Sequence, residues 1–255
     1  MDAVYVKMVL EAEELPQLLL ASRELPFRGF SVTMPLKEVV WEELRQHGSS
    51  VPSCGAVNTL LLRGQTPFGF NTDGVGAVSA LEKICRVEGA QAVVLGAGGT
   101  GKAIAAALKE RGAHVTICNR TIERAQEAAH QLGVQWDTLD HAEQRVRAGA
   151  QILINATRVG MTPLHGETPI NPSCLHSDCV VLDAVSHPPI TLLLEAALKR
   201  GCRIISGREL FIHQAVEQFH LWWGRTLETA KIQTHLQESL QWQAAPFVPV
   251  HSLEY

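Results

Sequence analysis

The 255-residue chain lacks any long uninterrupted apolar run, so no segment has the length that a transmembrane helix requires. Charged residues break its most apolar stretches: Lys102 lies within VVLGAGGTGKAIAAAL (93–108), and Glu195 lies within ITLLLEAAL (190–198). The first residues include Asp2 and Lys7, which is not typical of a signal peptide. We therefore expect no association with a membrane.

An excess of positive charge is also absent. The chain has 22 Lys and Arg residues against 26 Asp and Glu residues, which gives a formal net charge of -4. Its basic residues are scattered along the sequence, whereas a nucleic-acid-binding surface gathers them into a stripe or patch. Nucleic acid is therefore not an expected partner.

The six cysteines, at positions 54, 85, 118, 174, 179 and 202, contain no C-x-x-C pair and have no histidine nearby at ligand spacing. Structural zinc sites and disulfide frameworks both depend on such spacing. We predict no metal site and expect the cysteines to be thiols. A reducing compartment follows, namely the cytoplasm or an organelle stroma.

Short β-branched runs alternate with helical runs between residues 91 and 206. The strand-like runs are AVVL, HVTIC, QILIN, CVVLDA and CRIIS, and the helical runs are KAIAAALKERG, TIERAQEAAHQLG and TLLLEAALKRG. Gly112, Gly133 and Gly201 stand just after the three helical runs, and Thr121 is placed to cap the second one. This alternation predicts an α/β fold with βαβ units and a parallel sheet.

The flanking residues predict a second, smaller α/β domain. Residues 1–76 contain the strand-like runs VYVKMVL, GFSVT, AVNTLLL and FGFN, separated by turns of Pro, Gly and Ser. Beyond the parallel-sheet unit, two helices are predicted near 208–222 and 226–241, followed by a loosely ordered tail that contains proline.

The stretch from Val93 to Leu108 fits two nucleotide-binding patterns. Gly96, Gly98 and Gly101 form G-x-G-x-x-G, the turn that places a dinucleotide pyrophosphate at a helix N-terminus. The same stretch contains G-x-x-x-x-G-K, the phosphate loop of an NTPase, which continues with Ser or Thr to hold Mg²⁺. Here Ala103 follows Lys102, which favours the dinucleotide interpretation and leaves Lys102 as a solvated residue on the first helical turn.

The end of the next strand indicates which dinucleotide is bound. NAD enzymes place an Asp or Glu about 20 residues after the glycines to bind the ribose 2′-hydroxyl. This chain has Asn119, Arg120 and Thr121 there instead. Arg120 can pair bidentately with a 2′-phosphate and stack on adenine, and Arg124 is a second candidate cation one helical turn later. The predicted cofactor is NADP.

Three motifs in the first 76 residues place polar residues beside apolar runs: GFSVTMPLK (29–37), GAVNTL (55–60) and GFNTDGVG (69–76). Each alone has a simple structural explanation. In that explanation Lys37 is a solvated lysine, Asn58 is a turn residue, and Asp73 is the N-cap of a helix that starts at Gly74.

Together with the NADP segment, these motifs resemble the shikimate dehydrogenase family, whose members are NADP-dependent enzymes that interconvert 3-dehydroshikimate and shikimate. The resemblance extends from about Tyr5 to Gly224. The family motifs S/N-V-T-x-P-x-K, G-A-x-N-T, N-T-D-G-x-G, G-A-G-G-x-x-x-A, N-R-T, N-x-T-x-x-G-M and, in altered form, G-x-x-M-L-x-x-Q occur in order at 31–37, 55–59, 71–76, 96–103, 119–121, 155–161 and 207–214.

The resemblance implies that Lys37 and Asp73 form the catalytic pair. Reduction of a ketone requires a hydride from the nicotinamide and a proton from the protein, so one positioned general acid/base is needed. A lysine oriented by a neighbouring aspartate meets that requirement. The resemblance also implies that Thr33, Asn58, Asp73 and Gln214 hydrogen-bond the ring hydroxyls of the substrate.

The predicted NADP-binding residues lie at the glycine turn, after the second strand and near the nicotinamide. They are Gly96, Ala97, Gly98, Gly99, Thr100, Gly101, Asn119, Arg120, Thr121, Arg124, Asn155, Thr157, Val185 and Gly207. Met161 belongs to the same family motif as Asn155, but packing is the commoner role of a methionine.

The resemblance also assigns functions to the domains. We predict a substrate and catalytic domain over 1–76, incomplete at its N-terminus, and a Rossmann-type NADP-binding domain over 77–207. C-terminal helices over 208–241 return to the first domain, and a tail covers 242–255. The implied activity belongs to the shikimate pathway, which leads to chorismate and the aromatic amino acids.

The sequence departs from the family in two places. Family members normally have tyrosine after the D-x-V run, whereas Ser186 stands here, so we expect a difference in substrate affinity or choice. Family members also begin with a strand and helix carrying an S-x-S pair that binds the substrate carboxylate, and this sequence contains no S-x-S. We expect that the chain is a fragment of a longer protein, or that another chain supplies the strand, or that the first domain folds poorly.

Other functions stay open on the sequence alone. The near relative is a quinate/shikimate dehydrogenase, and a non-catalytic NADP-binding relic or partner module is a second alternative. The NTPase remains a third, although Ala103 disfavours it. The expected partners are a small-molecule substrate and, as in some relatives, a preceding dehydroquinase domain.

Overall fold

Two separate β-sheets organise the chain. The computed structural model describes residues 3–64, 66–228, 230–232 and 234–235. The helices are α1 (Leu15–Ala21), α2 (Lys37–Gln46), α3 (Thr72–Leu81), α4 (Gly99–Glu110), α5 (Ile122–Leu132), α6 (Leu139–Arg147), α7 (Leu192–Lys199) and α8 (Gly207–Trp223). The strands are β1 (Gly29–Ser31), β2 (Thr59–Arg63), β3 (Thr66–Phe70), β4 (Gln91–Leu95), β5 (His114–Asn119), β6 (Gln135–Thr138), β7 (Ile152–Asn155), β8 (Val180–Asp183) and β9 (Arg203–Ile205).

The smaller sheet is antiparallel, with the strand order β1-β2-β3. Its core contains Leu15 of α1 and Val40 and Leu44 of α2, each at most 2% exposed, packed with Leu60 of β2. A backbone hydrogen bond of 2.8 Å from Val57 N to Lys37 O fixes the start of α2 beside this sheet. Lys37 therefore begins its helix at a defined place next to the segment that leads into β2.

The larger sheet is parallel and has the strand order β6-β5-β4-β7-β8-β9. Two buried apolar clusters cover its two faces, one with α4 and α5 and the other with α6 and α7. The strands β5 and β6 lie on one side of β4, whereas β7, β8 and β9 lie on the other, so the strand order reverses between the paired neighbours β4 and β7. Ligands of such sheets bind in the crevice at the carboxyl ends of the strands at this reversal.

The structure confirms the fold class and the five strands predicted between residues 91 and 206. Gly112, Gly133 and Gly201 have φ values of +81°, +62° and +76°, as expected for glycines that end helices. Thr121 is the N-cap of α5, but its side chain makes no capping hydrogen bond, so that part of the prediction is wrong.

The strand predicted over VYVKMVL (4–10) is not formed. Residues 3–11 belong to no helix or strand, and Val4, Tyr5 and Val6 are 85%, 74% and 60% exposed. An apolar extended run becomes a strand only where a neighbouring strand pairs with its N–H and C=O groups. Among the described strands, none pairs with this run.

Helix α8 carries the chain back to the smaller sheet. Trp222 Nε1 donates to Leu60 O at 2.8 Å, and Gln218 Nε2 donates to Thr59 Oγ1 at 2.9 Å. Residues 225–228 are irregular and 230–232 and 234–235 are helical, so the helix predicted over 226–241 starts later than expected. Its remainder and the predicted tail over 242–255 lie outside the described residues. Within the described part of the chain, no helix is long and apolar enough to cross a membrane.

Candidate active site

Lys37 and Asp73 form an ion pair at the junction of the two sheets. Lys37 is the first residue of α2, and Asp73 is the second residue of α3. Lys37 Nζ lies 2.5 Å from Asp73 Oδ2, and the two side chains are 13% and 10% exposed. The pair is therefore largely shielded from solvent, where opposite charges interact more strongly than in water.

Asn58 holds the second oxygen of the Asp73 carboxylate. Its Nδ2 donates to Asp73 Oδ1 at 2.8 Å, while its Oδ1 accepts from the Thr72 backbone N at 2.8 Å. Gln214 of α8 is also close, because its Oε1 lies 3.4 Å from Asn58 Nδ2. The structure thus brings Asn58 and Gln214, two predicted substrate-binding residues, to the Lys37–Asp73 pair.

The simpler explanation of Asp73 as a helix cap is wrong. The N-cap of α3 is Asn71, whose side-chain oxygen accepts from the Asp73 backbone N at 3.0 Å. The Asp73 side chain is therefore available for contacts with Lys37 and Asn58. Thr33, by contrast, is exposed in the turn after β1, where its backbone oxygen accepts from Leu36 N at 2.9 Å.

Three glycines of the turn after β4 have three different reasons to lack a side chain. Gly96 has φ +106°, a conformation that favours glycine. At Gly101, a Cβ would overlap the carbonyl oxygen of Gly96, so α4 can approach the turn this closely only with glycine at this position. Gly98 has an ordinary φ of -84°, and a Cβ there would meet nothing within 4 Å.

The open space at Gly98 is the feature that fits a dinucleotide. Neither conformation nor packing within the protein requires glycine there, so the space is available for a ligand that approaches the backbone closely. Gly98 is also the N-cap of α4, whose first N–H groups can bind a pyrophosphate. Ala103, which follows Lys102, carries only a methyl group and is 4% exposed. This position therefore offers no ligand to a metal ion.

Asn119 connects the glycine turn to the end of β5. Its Oδ1 accepts from Ala97 N at 3.3 Å, and its Nδ2 donates to Thr121 O at 2.9 Å. Arg120 and Thr121 are exposed beside it. Asn119 therefore shapes the turn, while the Arg120 guanidinium is accessible to a phosphate.

Lys102 is not the solvated lysine that the sequence suggested. Its side chain is 12% exposed and forms an ion pair with Glu38, the second residue of α2. Arg124 approaches the same carboxylate, with its Nη2 3.6 Å from Glu38 Oε2. A predicted cofactor cation thus has an acidic neighbour from the other sheet, which sequence reasoning missed because the partner lies far away in the chain.

Asn155 and Asp183 form a buried polar pair at the ends of β7 and β8. Both are 0% exposed, and Asn155 Nδ2 donates to Asp183 Oδ1 at 2.9 Å. Asn155 Oδ1 accepts from Thr157 N at 3.0 Å, and Asp183 Oδ2 accepts from Thr191 Oγ1 at 2.6 Å. Burial raises the pKa of Asp183 to about 6, against the opposing effect of its hydrogen bonds. Asn155 and Asp183 therefore shape the loops that follow the two strands.

The loop after β8 meets the start of α8. A Cβ at Gly207 would overlap the carbonyl oxygen of Val185, and Val185 is 5% exposed. Ser186, which follows, is exposed, and Met161 is half-buried. Val185 and Gly207, two predicted cofactor-binding residues, are thus in contact with each other at the carboxyl end of the parallel sheet.

Two family models match the chain. The model described as shikimate dehydrogenase substrate binding domain matches residues 1–60, and the model described as shikimate / quinate 5-dehydrogenase matches residues 79–171. The first match covers α1, β1 and α2 and ends within β2, and the second covers β4 to β7 of the parallel sheet.

Curated relatives extend the match to most of the chain. The shikimate dehydrogenase (NADP(+)) of Pyrococcus abyssi is 40% identical over 223 residues, which are 88% of this chain and 82% of the relative. The chloroplastic bifunctional 3-dehydroquinate dehydratase/shikimate dehydrogenase of Arabidopsis thaliana is 38% identical over 88% of this chain and 39% of the relative.

Among solved structures, shikimate 5-dehydrogenase from Thermus thermophilus in complex with NADP(H) and shikimate is similar, with a TM-score of 0.79 and 33% identity. That match covers 90% of this chain and 85% of the Thermus chain. Together with the Lys37–Asp73 pair and the glycine turn, these similarities show that the chain belongs to the shikimate dehydrogenase family.

Proposed function

We propose that this protein is an NADP-dependent oxidoreductase that interconverts 3-dehydroshikimate and shikimate. The observation that carries the proposal is the shielded Lys37–Asp73 ion pair, 2.5 Å between Nζ and Oδ2, placed beside the first turn of α4. A proton donor at the edge of a dinucleotide site is the arrangement that carbonyl reduction needs. The named activity of the relatives agrees with it.

Lys37 acts as the general acid when the ketone is reduced. Its ammonium group has three N–H donors. Two of them face Asp73 Oδ2 and Thr100 Oγ1, at 2.5 and 3.0 Å. The third is left for the carbonyl oxygen of the substrate, to which Lys37 gives a proton as that oxygen becomes a hydroxyl. In the oxidative direction, neutral Lys37 takes the proton back while Asp73 holds the amine in place.

The glycine turn and the end of β5 hold the cofactor. Gly98 leaves room for the pyrophosphate at the start of α4, and exposed Arg120 pairs with the 2′-phosphate. When bound, NADPH supplies the hydride for reduction, and NADP⁺ accepts it in oxidation. Val185 and Gly207 line the nicotinamide end.

The substrate binds between the two sheets. Asn58, Asp73 and Gln214 are close enough to one another to contact neighbouring hydroxyls of one ring, and Thr33 contacts the ring from the exposed turn.

We assign the substrate domain to 1–76, the NADP domain to 77–207 and the returning helices to 208–241. A dehydroquinase domain or a second chain is the proposed macromolecular partner, and the free state of all six cysteines supports a cytoplasmic location.

The test is a steady-state assay of the purified chain with NADP⁺ and either shikimate or quinate. We expect turnover with shikimate, and a loss of kcat on the order of 10²–10⁴-fold in Lys37→Met, the range typical of a general acid/base. NADP binding should stay within about threefold, because the turn that holds it is unchanged.

Lys199→Met is the matched control, since Lys199 is exposed and pairs with Glu195 on its own helix. Tight NADP binding without turnover on either substrate would identify a non-catalytic module instead. A higher kcat/KM with quinate than with shikimate would overturn the substrate assignment alone.

A further inference from the structure

We propose that Thr100 is a positioning residue for the Lys37–Asp73 pair, and that its hydroxyl links the proton-transfer groups to the cofactor-binding turn. The inference rests on the proposed function, because it gives this pair the acid/base role. It adds a third side chain, from the other sheet, to the two that the family motifs single out.

The three side chains form a closed triangle of hydrogen bonds. Lys37 Nζ donates to Thr100 Oγ1 at 3.0 Å, and Thr100 Oγ1 donates to Asp73 Oδ2 at 3.0 Å. Lys37 Nζ also donates to the same Asp73 oxygen at 2.5 Å. The hydroxyl has one proton and two lone pairs, so it can donate to Asp73 and accept from Lys37 at the same time.

Backbone packing fixes the place of Thr100 relative to Asp73. Helix α3 lies so close to α4 that a Cβ on Gly74 would overlap the carbonyl oxygen of Ala103. Gly74 directly follows Asp73, and Ala103 lies one helical turn after Thr100. Neither helix can shift relative to the other without losing this contact, so the Thr100 hydroxyl meets Asp73 in a preset position.

A second close contact fixes Thr100 relative to Lys37. A Cβ on Gly99 would lie 3.1 Å from Ala56 Cβ and 3.3 Å from Lys37 Cβ. The stem of Lys37 therefore runs against the first turn of α4, and its ammonium group reaches Thr100 from that side. Both partners of the hydroxyl are thus held by packing that does not involve the hydroxyl itself.

This geometry has a chemical consequence. The hydroxyl accepts one N–H bond of the Lys37 ammonium and donates to the carboxylate that accepts another. Two of the three N–H bonds of Lys37 are thereby directed, which leaves the remaining one for the substrate. Because Thr100 belongs to the turn that holds the pyrophosphate, a displacement of this turn changes the orientation of Lys37.

The test compares Thr100→Val, which keeps the shape but lacks the hydroxyl, with Thr100→Ser, which keeps the hydroxyl. Thr116→Val serves as a matched control, because Thr116 is a buried threonine of β5 whose hydroxyl lies 3.4 Å from Gln135. For each variant, kcat and KM for shikimate, the pH profile of kcat/KM, the Kd for NADP⁺ and the Tm are measured.

We expect Thr100→Val to lower kcat by about tenfold to a hundredfold, the effect of losing hydrogen bonds to charged groups. Its pH profile of kcat/KM should differ from that of the wild type, because the hydroxyl contacts both groups of the proton-transfer pair. Thr100→Ser should restore kcat to within about threefold, and the Kd for NADP⁺ should change by less than about threefold in both variants.

Three results would overturn the inference. Thr100→Ser as slow as Thr100→Val would show that the hydroxyl is not the relevant group. A raised Kd for NADP⁺ with unchanged kcat at saturation would make Thr100 a cofactor ligand only. A lower Tm with an unchanged pH profile and kcat would make its role structural. Absence of shikimate oxidation by the wild type is a separate result, because it would reject the proposed function itself.

Discussion

Glu38 and Lys102 form an ion pair that joins the first turn of α2 to the first turn of α4. Arg124 lies at 3.6 Å from the same carboxylate. One acidic side chain of α2, the helix that packs on the smaller sheet, thus faces two cations of the parallel-sheet unit, next to the predicted phosphate sites. Its charge opposes the binding of an anionic cofactor, while its contacts hold the two sheets together.

We predict that Glu38→Gln binds NADP⁺ more tightly, by about threefold at low salt, because removal of the carboxylate makes the site more positive and frees Arg124. The gain should disappear in high salt. Stability should change by less than about 1 kcal/mol, since Glu38 is 38% exposed and such ion pairs are screened. Isothermal titration at two salt concentrations measures the effect.

Glu42→Gln is the matched control, because Glu42 lies on the same helix but pairs with exposed Arg45. It should leave NADP⁺ binding unchanged. Weaker binding in Glu38→Gln would mean that the contact between the sheets outweighs the electrostatic repulsion.

The second prediction concerns Asp183 and pH. Burial raises its pKa from 3.8 to about 6, so the folded state holds a proton over this range that the unfolded state has already lost. The free energy of unfolding therefore falls as pH rises from about 4 to 6, by on the order of 2–3 kcal/mol in total. Asp183→Asn removes this loss, so the variant should be more stable than the wild type at pH 7, and the difference should vanish near pH 4.

An asparagine fits the site, because its oxygen can accept from Asn155 and its amide can donate to Thr191. Asp183→Ala is the contrasting variant, which leaves these buried partners unsatisfied and should be destabilised at every pH. Urea unfolding across the pH range measures both. An Asp183→Asn difference that does not vary with pH would contradict the assignment.

His213 supplies the opposite slope in nearly the same pH range. Burial, with a further contribution from Lys83, lowers its pKa from 6.5 to about 4. Lys83 Nζ lies 3.1 Å from His213 Nε2, and Glu209 of the same helix carries a carboxyl that burial makes harder to ionise, with a raised pKa. The unfolded state binds a proton there that the folded state does not, so stability falls as pH drops from about 6.5 to 4.

The contributions of Asp183 and His213 should therefore oppose each other between about pH 4 and 6. His213→Gln removes one of them, so its stability should fall more steeply than that of the wild type as pH rises. The same urea series detects this. Equal slopes in His213→Gln and the wild type would show that the titration of His213 does not contribute.

The third prediction separates the roles of the glycines. Gly98→Ala should lower NADP⁺ affinity by about tenfold or more, because the methyl group enters the space meant for the pyrophosphate. Its Tm should stay within about 2 °C, since the Cβ meets no protein atom within 4 Å. Gly101→Ala, by contrast, should lose stability, because its Cβ overlaps the Gly96 carbonyl oxygen. Wild-type affinity in Gly98→Ala would remove this glycine from the cofactor site.

The fourth prediction concerns cofactor choice. Arg120→Gln should reduce kcat/KM for NADP⁺ by about tenfold to a hundredfold, the effect of losing a bidentate charged contact. The value for NAD⁺ should change by less than about threefold, because NAD⁺ has no 2′-phosphate to lose the contact. Arg158→Gln is the control, since Arg158 is exposed in the loop after β7. Equal losses with both cofactors would refute the role of Arg120 in discrimination.

The sequence predicts the parallel-sheet unit well because its signals are local. Alternating apolar runs, glycines at helix ends and the glycine turn each determine the backbone conformation of residues close by in the sequence. The weakest predictions depend on distant partners. The run at 4–10 has the composition of a strand, but pairing decides whether it becomes one. Strand β6 and helix α6 were not predicted, since Gln135 and Asp137 of β6 interrupt any apolar run there.

The same distinction applies to the candidate site. Lys37, Asn58 and Asp73 could be singled out because each lies in a short motif. Lys102 appeared to be an ordinary surface lysine, because its partner Glu38 lies 64 positions earlier in the chain, in α2. Asp183 appeared as a strand end, and only the fold shows that it is buried against Thr191.

The contact between Gly74 and Ala103 brings the backbones of α3 and α4 together next to the Lys37–Asp73 pair. Asp73 directly precedes Gly74, yet it also lies three residues after β3 and accepts from Asn58, which directly precedes β2. Lys37 begins a helix that packs on the same smaller sheet. The ion pair therefore belongs to the smaller sheet's side of the junction, and the parallel-sheet unit meets it through the first turn of α4, where the Thr100 hydroxyl lies.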